Sequence, residues 1–272
     1  MSLVRTAGEC LVDVAVRRWS SCAAVEAAQD AVAEETPVAL SYNGISHVVM
    51  MMTPADLEDF AVGFSLSEGI VAHASEIRDI EASAHPHGLE LAVSLSPGRE
   101  HALKTMRRNL TGRTGCGLCG AESLEQAIRS VDRVADGPVL SAAAVERAVV
   151  AMAPLQALSL RTGGAHGAAW CGVNGDIRLL REDVGRHNAL DKLIGAMART
   201  ATASDSGFAL VSSRASYEMV TKAARAGMRI LAAVSAPTAL AVNLARDAGF
   251  TLVAFARPGK FSVYTAPERL DT

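Results

Sequence analysis

From residue 140 onward, segments with helical spacing alternate with short runs suited to strands. No other feature of this chain restricts its fold as much. An alanine-rich helix over 140–158 leads into two strands, 168–173 and 177–181, joined at Asn174-Gly175. Helices over 188–198, 217–226 and 239–248 then alternate with strands over 208–212, 229–234 and 251–256. This order predicts an α/β domain: a mostly parallel sheet with an antiparallel edge, covered by helices on both faces.

The preceding segment reads differently. Residues 37–42 and 45–52 flank Asn43-Gly44, two residues that accept the positive φ of a tight hairpin turn. Thr53-Pro54 has the form of a helix start, with threonine as N-cap and proline at the first helical position. That helix should run to Glu68 and stop at Gly69. Strands over 77–83 and 89–95 and a short helix over 101–110, carrying Lys104, Arg107 and Arg108, complete a ββαββα unit. Residues 1–35 are alanine-rich and read as a loosely held arm or a helix packed on the body. The chain thus divides into an arm (1–35), a small α+β domain (36–112), a mobile loop (113–120) and a larger α/β domain (121–272).

Composition removes several classes of function. Half of the 272 residues are hydrophobic, enough for a sizeable core without disulfides and too many for a disordered chain. No run approaches the roughly 18 uncharged apolar residues of a membrane span. The 26 basic and 29 acidic residues give a charge of −3, so no global field for nucleic acid is expected. The N-terminus lacks the pattern of a secretory signal. Five cysteines, an odd number, do not suggest a secreted disulfide framework, and the cytoplasm is expected.

The chemistry centres on Gly115-Cys116-Gly117-Leu118-Cys119-Gly120. So many glycines disfavour regular structure and place the thiols on a flexible loop. A free thiol has a pKa of about 8.5, and neighbouring arginines such as Arg113 favour the reactive thiolate. Three readings of the motif compete. It could be half of a zinc site, though no second C-x-x-C supplies the other ligands. It could be a dithiol redox pair, though it lies between domains rather than inside a βαβ unit. It could carry sulfane sulfur as a reversible persulfide.

From Pro37 to the C-terminus the chain closely resembles the FdhD/NarQ family of sulfurtransferases. The resemblance lies in the double-cysteine loop, Tyr42-Asn43-Gly44, the stretch Thr53–Phe60 and Thr162–Ala168. It continues in the long run Arg181–Lys192, then Ser212–Glu218 and Ser235–Thr238. It implies that Cys116 bears the persulfide and that Cys119 assists or resolves it. It also implies a cysteine desulfurase as sulfur donor, and formate dehydrogenase as the enzyme served. The acceptor would be the molybdenum (or tungsten) bis-molybdopterin guanine dinucleotide cofactor, with a guanine nucleotide as its mimic. A homodimer and a cytidine-deaminase-like, three-layer α/β/α fold with a mixed sheet are implied for the same reason. Zinc deaminases carry H-x-E and P-C-x-x-C. Here Gly185-Arg186-His187-Asn188 and Ser212–Ser216 stand in those places, so deamination is not expected and no metal ligands are assigned.

A bis-guanine-dinucleotide needs helix starts, cations and polar groups, grouped beyond the carboxyl ends of the strands. Ser212-Ser213-Arg214 and Ser235–Thr238 meet that description, as does Phe255-Ala256-Arg257-Pro258-Gly259-Lys260, which the resemblance marks as a cofactor contact. Read alone, Arg257 and Lys260 suit a solvated turn. His187, at a helix start, would orient the cofactor, while His166 reads as structural. Arg181 and Asp183 could pair to fix that helix start. The competing functional reading is a non-catalytic cofactor chaperone or zinc-binding module.

Overall fold

The structure is a computed structural model, and it describes residues 10–97 and 131–271. The helix expected over 101–110 and the loop bearing Cys116 and Cys119 lie outside the described residues.

The N-terminal segment is not a helix. It is an antiparallel hairpin of β1 (Leu11–Ser20) and β2 (Ala23–Ala33), closed at its base by Glu34 N–H donating to the Cys10 carbonyl at 2.8 Å. The alanines of β2 suggested a helix, but Val12, Val14 and Val16 alternate with Asp13, Ala15 and Arg17. That period of two places the valines on one face of a strand.

The small domain has a four-stranded sheet of β3 (Thr36–Tyr42), β4 (Ile45–Met52), β5 (Ile77–His85) and β6 (Gly88–Leu95), in the order β4-β3-β6-β5. Asn43 and Gly44 take φ of 48° and 76°, as the tight turn required. Helix α1 (Leu57–Ser67) lays Phe60 and Phe64 on Val38, Leu40, Leu91 and Val93 of the sheet. It ends before Gly69 as expected, but it starts at Leu57 rather than at Thr53-Pro54. Thr53 is committed elsewhere: its backbone N–H donates to Asp183 Oδ2 (3.1 Å), and its hydroxyl accepts from Val184 N–H (3.2 Å).

In the larger domain, β7 (Leu140–Ser141) pairs with β14 (Leu270–Asp271). The single helix expected over 140–158 is two: α2 (Ala142–Leu155), capped by Ser141 Oγ, and α3 (Ala157–Thr162). They part at Gln156, two residues after Pro154, which has no N–H to continue the ladder. There follow β8 (His166–Gly172), β9 (Ile177–Asp183), α4 (Arg186–Arg199), β10 (Gly207–Val211) and α5 (Tyr217–Arg225). The chain then forms β11 (Ile230–Ala233), α6 (Ala239–Asp247), β12 (Thr251–Arg257) and β13 (Lys260–Thr265).

The sheet order is β13-β12-β11-β10-β8-β9. Only β10/β11 and β11/β12 are parallel, so the sheet is mixed rather than mostly parallel. Part of the difference is β13, which returns along β12 where a loop was expected. Alternate residues face opposite layers. Trp170, Val211, Leu231 and Leu252 pack with Leu190, Leu193, Met219 and Ala241 of α4, α5 and α6. Cys171, Phe208, Leu210 and Val253 pack with Val145, Val149 and Met152 of α2. The result is a three-layer α/β/α sandwich. No helix among the described residues is long and apolar enough to cross a membrane.

The two domains meet where α1 crosses α4. A β-carbon on Gly63 would lie 1.7 Å from the Asp191 carbonyl oxygen, and one on Gly195 would lie 1.8 Å from that of Asp59. The backbones therefore touch, which only glycine at both positions permits. Charges close the rim of the crossing. Asp59 binds Arg181 at 2.7 Å and Arg199 at 2.6 Å, and Lys222 binds Asp191 at 2.9 Å and Glu68 at 3.0 Å.

Candidate functional site

The carboxyl ends of β10 and β11 lie beside the start of β8 and the end of β9, because β8 runs antiparallel to both β9 and β10. This rim gathers the loops that the sequence marked. They are stitched together by backbone bonds: Ser212 N–H to the Gly167 carbonyl (3.0 Å), Ser235 N–H to Ser213 (3.4 Å) and Phe255 N–H to Ser235 (3.1 Å). Ala215 and Pro237 form a further bridge.

Helices α4, α5 and α6 all begin at this rim. Thr238 Oγ1 accepts from Ala241 N–H and caps α6, whereas α4 and α5 have no side-chain cap. The helix dipole favours an anion at such a start. His187 on α4 brings Nε2 to 2.9 Å from Glu218 Oε2 on α5, an ion-pair distance without hydrogen-bond geometry. Arg186 Nε and Ser216 Oγ are buried and make no hydrogen bond among the described residues. His166, half-buried at the start of β8, is held below the ordinary imidazole pKa, first by burial and then by Arg186 and His187. Arg214 is exposed on the loop between β10 and α5.

Asp183 anchors the start of α4. Its Oδ1 accepts from Gly185 N–H (2.8 Å) and Asn188 Nδ2 (3.1 Å), while Oδ2 pairs with Lys192 Nζ at 2.6 Å. The Arg181–Asp183 pair suggested by the sequence does not form, since Arg181 reaches across to Asp59 and Asp56 of the small domain.

Phe255–Lys260 forms the end of the β12–β13 hairpin. Phe255 has φ 51° at a break in register and is 40% exposed. Ala256 turns inward, onto the α2 layer. Arg257 and Lys260 face each other across the hairpin, and Pro258 and Gly259 make its turn, tied to α2 by Gly259 N–H donating to Glu146 Oε1 at 2.9 Å. Phe255, Arg257 and Lys260 line a cavity of about 260 Å³ with Phe261 and Ser262. His187 and Arg214 are not among the lining residues; backbone bonds from Phe255 to Ser235 and from Ser235 to Ser213 lead from the hairpin to the neighbour of Arg214. Sequence reasoning assigned no role to Glu218 or Ser216, although both stood in the run Ser212–Glu218.

Of the described thiols, Cys171 is fully buried, and burial pushes its pKa up to about 12. Cys22 is exposed at the turn of the N-terminal hairpin. No three His, Cys, Asp or Glu side chains among the described residues converge to hold a metal ion.

Residues 33–271 match the profile of the FdhD/NarQ family. A protein of Cupriavidus necator named sulfur carrier protein FdhD is 53% identical over 257 residues, covering 94% of this chain and 89% of that one. A protein of the same name from Bordetella petrii is 54% identical over 241 residues, covering 89% and 87%. A solved structure from Desulfotalea psychrophila, described as a formate dehydrogenase accessory protein, aligns with a TM-score of 0.73 at 27% identity, covering 96% of this chain and all of that one.

Proposed function

This chain belongs to the FdhD/NarQ family, and on that footing we propose that it carries sulfur for the maturation of formate dehydrogenase in the cytoplasm. The Cys116 thiolate attacks the outer sulfur of a persulfide on a cysteine desulfurase. The donor's S–S bond breaks, the donor leaves as a thiolate, and Cys116 holds the sulfane sulfur as its own persulfide. Cys119 assists or resolves that species. The recipient substrate is the molybdenum bis-molybdopterin guanine dinucleotide destined for formate dehydrogenase.

The observation that carries the reading is the likeness, along nearly the whole chain, to proteins named sulfur carriers, with Cys116 and Cys119 inside the matched stretch. The rim supports the choice of substrate. Pyrophosphates need N–H donors and cations, and the uncapped starts of α4 and α5 supply the donors. The buried, unpartnered Arg186 Nε and Ser216 Oγ are atoms such a group would satisfy. Arg214 and His187 stand on this rim, and Phe255 to Lys260 offers an aromatic ring and two cations beside it. The three-layer domain takes the role of a cytidine-deaminase-like scaffold without the chemistry of that class.

Incubation with a desulfurase and cysteine, followed by peptide mass spectrometry, tests the reading. A gain of about 32 Da, one sulfur atom, is expected on the Cys116 peptide and is lost in Cys116→Ala. An unmodified Cys116 in protein that still sulfurates the cofactor would sink it. A cofactor chaperone without sulfur relay would bind guanine nucleotide and show no mass gain.

A further inference from the structure

The helix that carries Arg186 and His187 has no side-chain cap of its own. Its N-cap is Gly185, and a β-carbon there would lie 2.8 Å from Asn188 Nδ2 and 3.4 Å from Asp183 Oδ1. A side chain at that position would displace the groups that hold the start of α4. The direction in which α4 sets out is therefore fixed from outside the helix, and the atoms that fix it belong to the small domain.

Four hydrogen bonds join residues 51–53, at the end of β4 and just beyond it, to this start. Asn188 Nδ2 donates to the Met51 carbonyl at 2.9 Å. Thr53 N–H donates to Asp183 Oδ2 at 3.1 Å, and the Thr53 carbonyl accepts from Lys192 Nζ at 2.9 Å. Val184 N–H donates to the Thr53 hydroxyl at 3.2 Å. Thr53, Asp183, Asn188 and Lys192 are all buried, so a group that loses its partner here stays desolvated. The domains are also joined elsewhere, where Gly63 and Gly195 let α1 touch α4 and Lys222 binds Asp191 and Glu68. The bonds from residues 51–53 converge instead on the two residues before Gly185 and on the first turns of α4.

We propose that Thr53 is a positioning residue for the anion site at the starts of α4 and α5, acting through its hydroxyl. By holding Val184 N–H it sets the path of the chain into Gly185, and with it the placement of Arg186 and His187 at the rim. The proposal rests on the reading of this rim as a phosphate site, and it makes the small domain a working part of that site. The bonds from Thr53 to Asp183 and Lys192 use backbone atoms and survive a change of side chain. Only the bond to Val184 depends on the hydroxyl. Thr53→Val puts a methyl group in its place and leaves that N–H without an acceptor.

Titration of the full-length protein with inorganic pyrophosphate tests the proposal. Thr53→Val should bind about tenfold more weakly than the wild type, and Thr53→Ser, which keeps the hydroxyl, should stay within about threefold of it. Gly69→Ala strains the far end of α1 without touching residues 51–53, and its affinity should stay within about twofold of the wild type. The ring signals of His187 in the magnetic resonance spectrum of the free protein should move in Thr53→Val and hold still in Gly69→Ala. Circular dichroism checks the fold of each variant. A further measurement needs no variant. A group that favours the bound state is in turn held more firmly by the ligand, so amide exchange in residues 51–56 of the wild type should slow about threefold with pyrophosphate bound. Unchanged affinity in Thr53→Val, no recovery in Thr53→Ser, an equal loss in Gly69→Ala, or exchange at 51–56 indifferent to pyrophosphate overturns the proposal. A wild type that binds no pyrophosphate removes the phosphate reading of the rim and this proposal with it, whereas binding that ignores Thr53 removes the proposal alone. Sulfur loading of Cys116 is read separately.

Discussion

Asp183 and Lys192 form an ion pair of 2.6 Å in which neither side chain is reached by solvent. Both also bind Thr53 of the other domain, Asp183 through the Thr53 N–H and Lys192 by donating to the Thr53 carbonyl at 2.9 Å. The pair thus joins three things: the start of α4 that carries His187, the interior of the larger domain, and the linker that leads into α1.

Removing one member leaves the other charge buried. Lys192→Met should cost about 3–5 kcal/mol in urea unfolding, the usual penalty for breaking a buried pair from one side. Adding Asp183→Asn to it removes the stranded charge and should recover part of that loss. A cost under about 1 kcal/mol for Lys192→Met would show that water reaches the pair.

The α1–α4 crossing makes a second claim on stability. Gly63→Ala and Gly195→Ala each drive a methyl group into a backbone carbonyl that cannot rotate away, and each should cost about 3 kcal/mol or more. Gly69→Ala meets no atom within 4 Å but sits at φ 74°, so only the left-handed conformation resists it, at about 1–2 kcal/mol. Equal losses at Gly63 and Gly69 would mean that the helices move apart at little cost.

These features also mark what could be read from the sequence. The Asn43-Gly44 turn, the strands of the small domain and the βαβ order after residue 166 were legible because turn chemistry and periodicity are local. The start of α1 was misplaced because Thr53-Pro54 satisfies a local rule, while its actual partners, Asp183 and Lys192, lie 130 or more residues away. The N-terminal hairpin was missed because alanine is a weak guide where a strand lies at the surface. Ser212–Arg214 and Ser235–Thr238 do follow strands and lead into helices, as the element order implied, whereas Phe255–Arg257 belongs to β12 and a second strand starts at Lys260 where a loop was expected. Glu218 beside His187 was not foreseen, because nothing local relates α5 to the start of α4.

Thiol reactivity should divide by burial. At pH near 8, iodoacetamide should modify exposed Cys22 and leave Cys171 untouched until the protein is unfolded, since burial pushes Cys171 up to about 12 and closes access. Peptide mapping after brief labelling checks this, and modification of Cys171 in folded protein would show that the α2 layer opens.

Guanosine diphosphate binding tests the hairpin end. Arg257→Ala and Lys260→Ala should each weaken it about fivefold at low salt and less at high salt, as expected for exposed cations facing a phosphate. Arg78→Ala, on β5 of the small domain, serves as control. Unchanged binding in both hairpin variants would leave Arg257 and Lys260 as solvated turn residues.

Burial, then Arg186 and His187, lower the pKa of His166. As the pH falls through about 6.5, the unfolded chain takes up this proton before the folded protein does. His166 therefore subtracts stability below that pH, until it titrates in the folded state as well. A bound phosphate at the rim adds negative charge beside the same ring and raises its pKa, so binding takes up a proton. Affinity for pyrophosphate or guanosine diphosphate should accordingly rise as the pH falls from about 8 toward 6. Calorimetry in buffers of different ionisation enthalpy would record the proton uptake, and His166→Gln should flatten both the uptake and the pH dependence. An affinity that falls on acidification, or one unaltered in His166→Gln, would place the anion away from His166 and the start of α4.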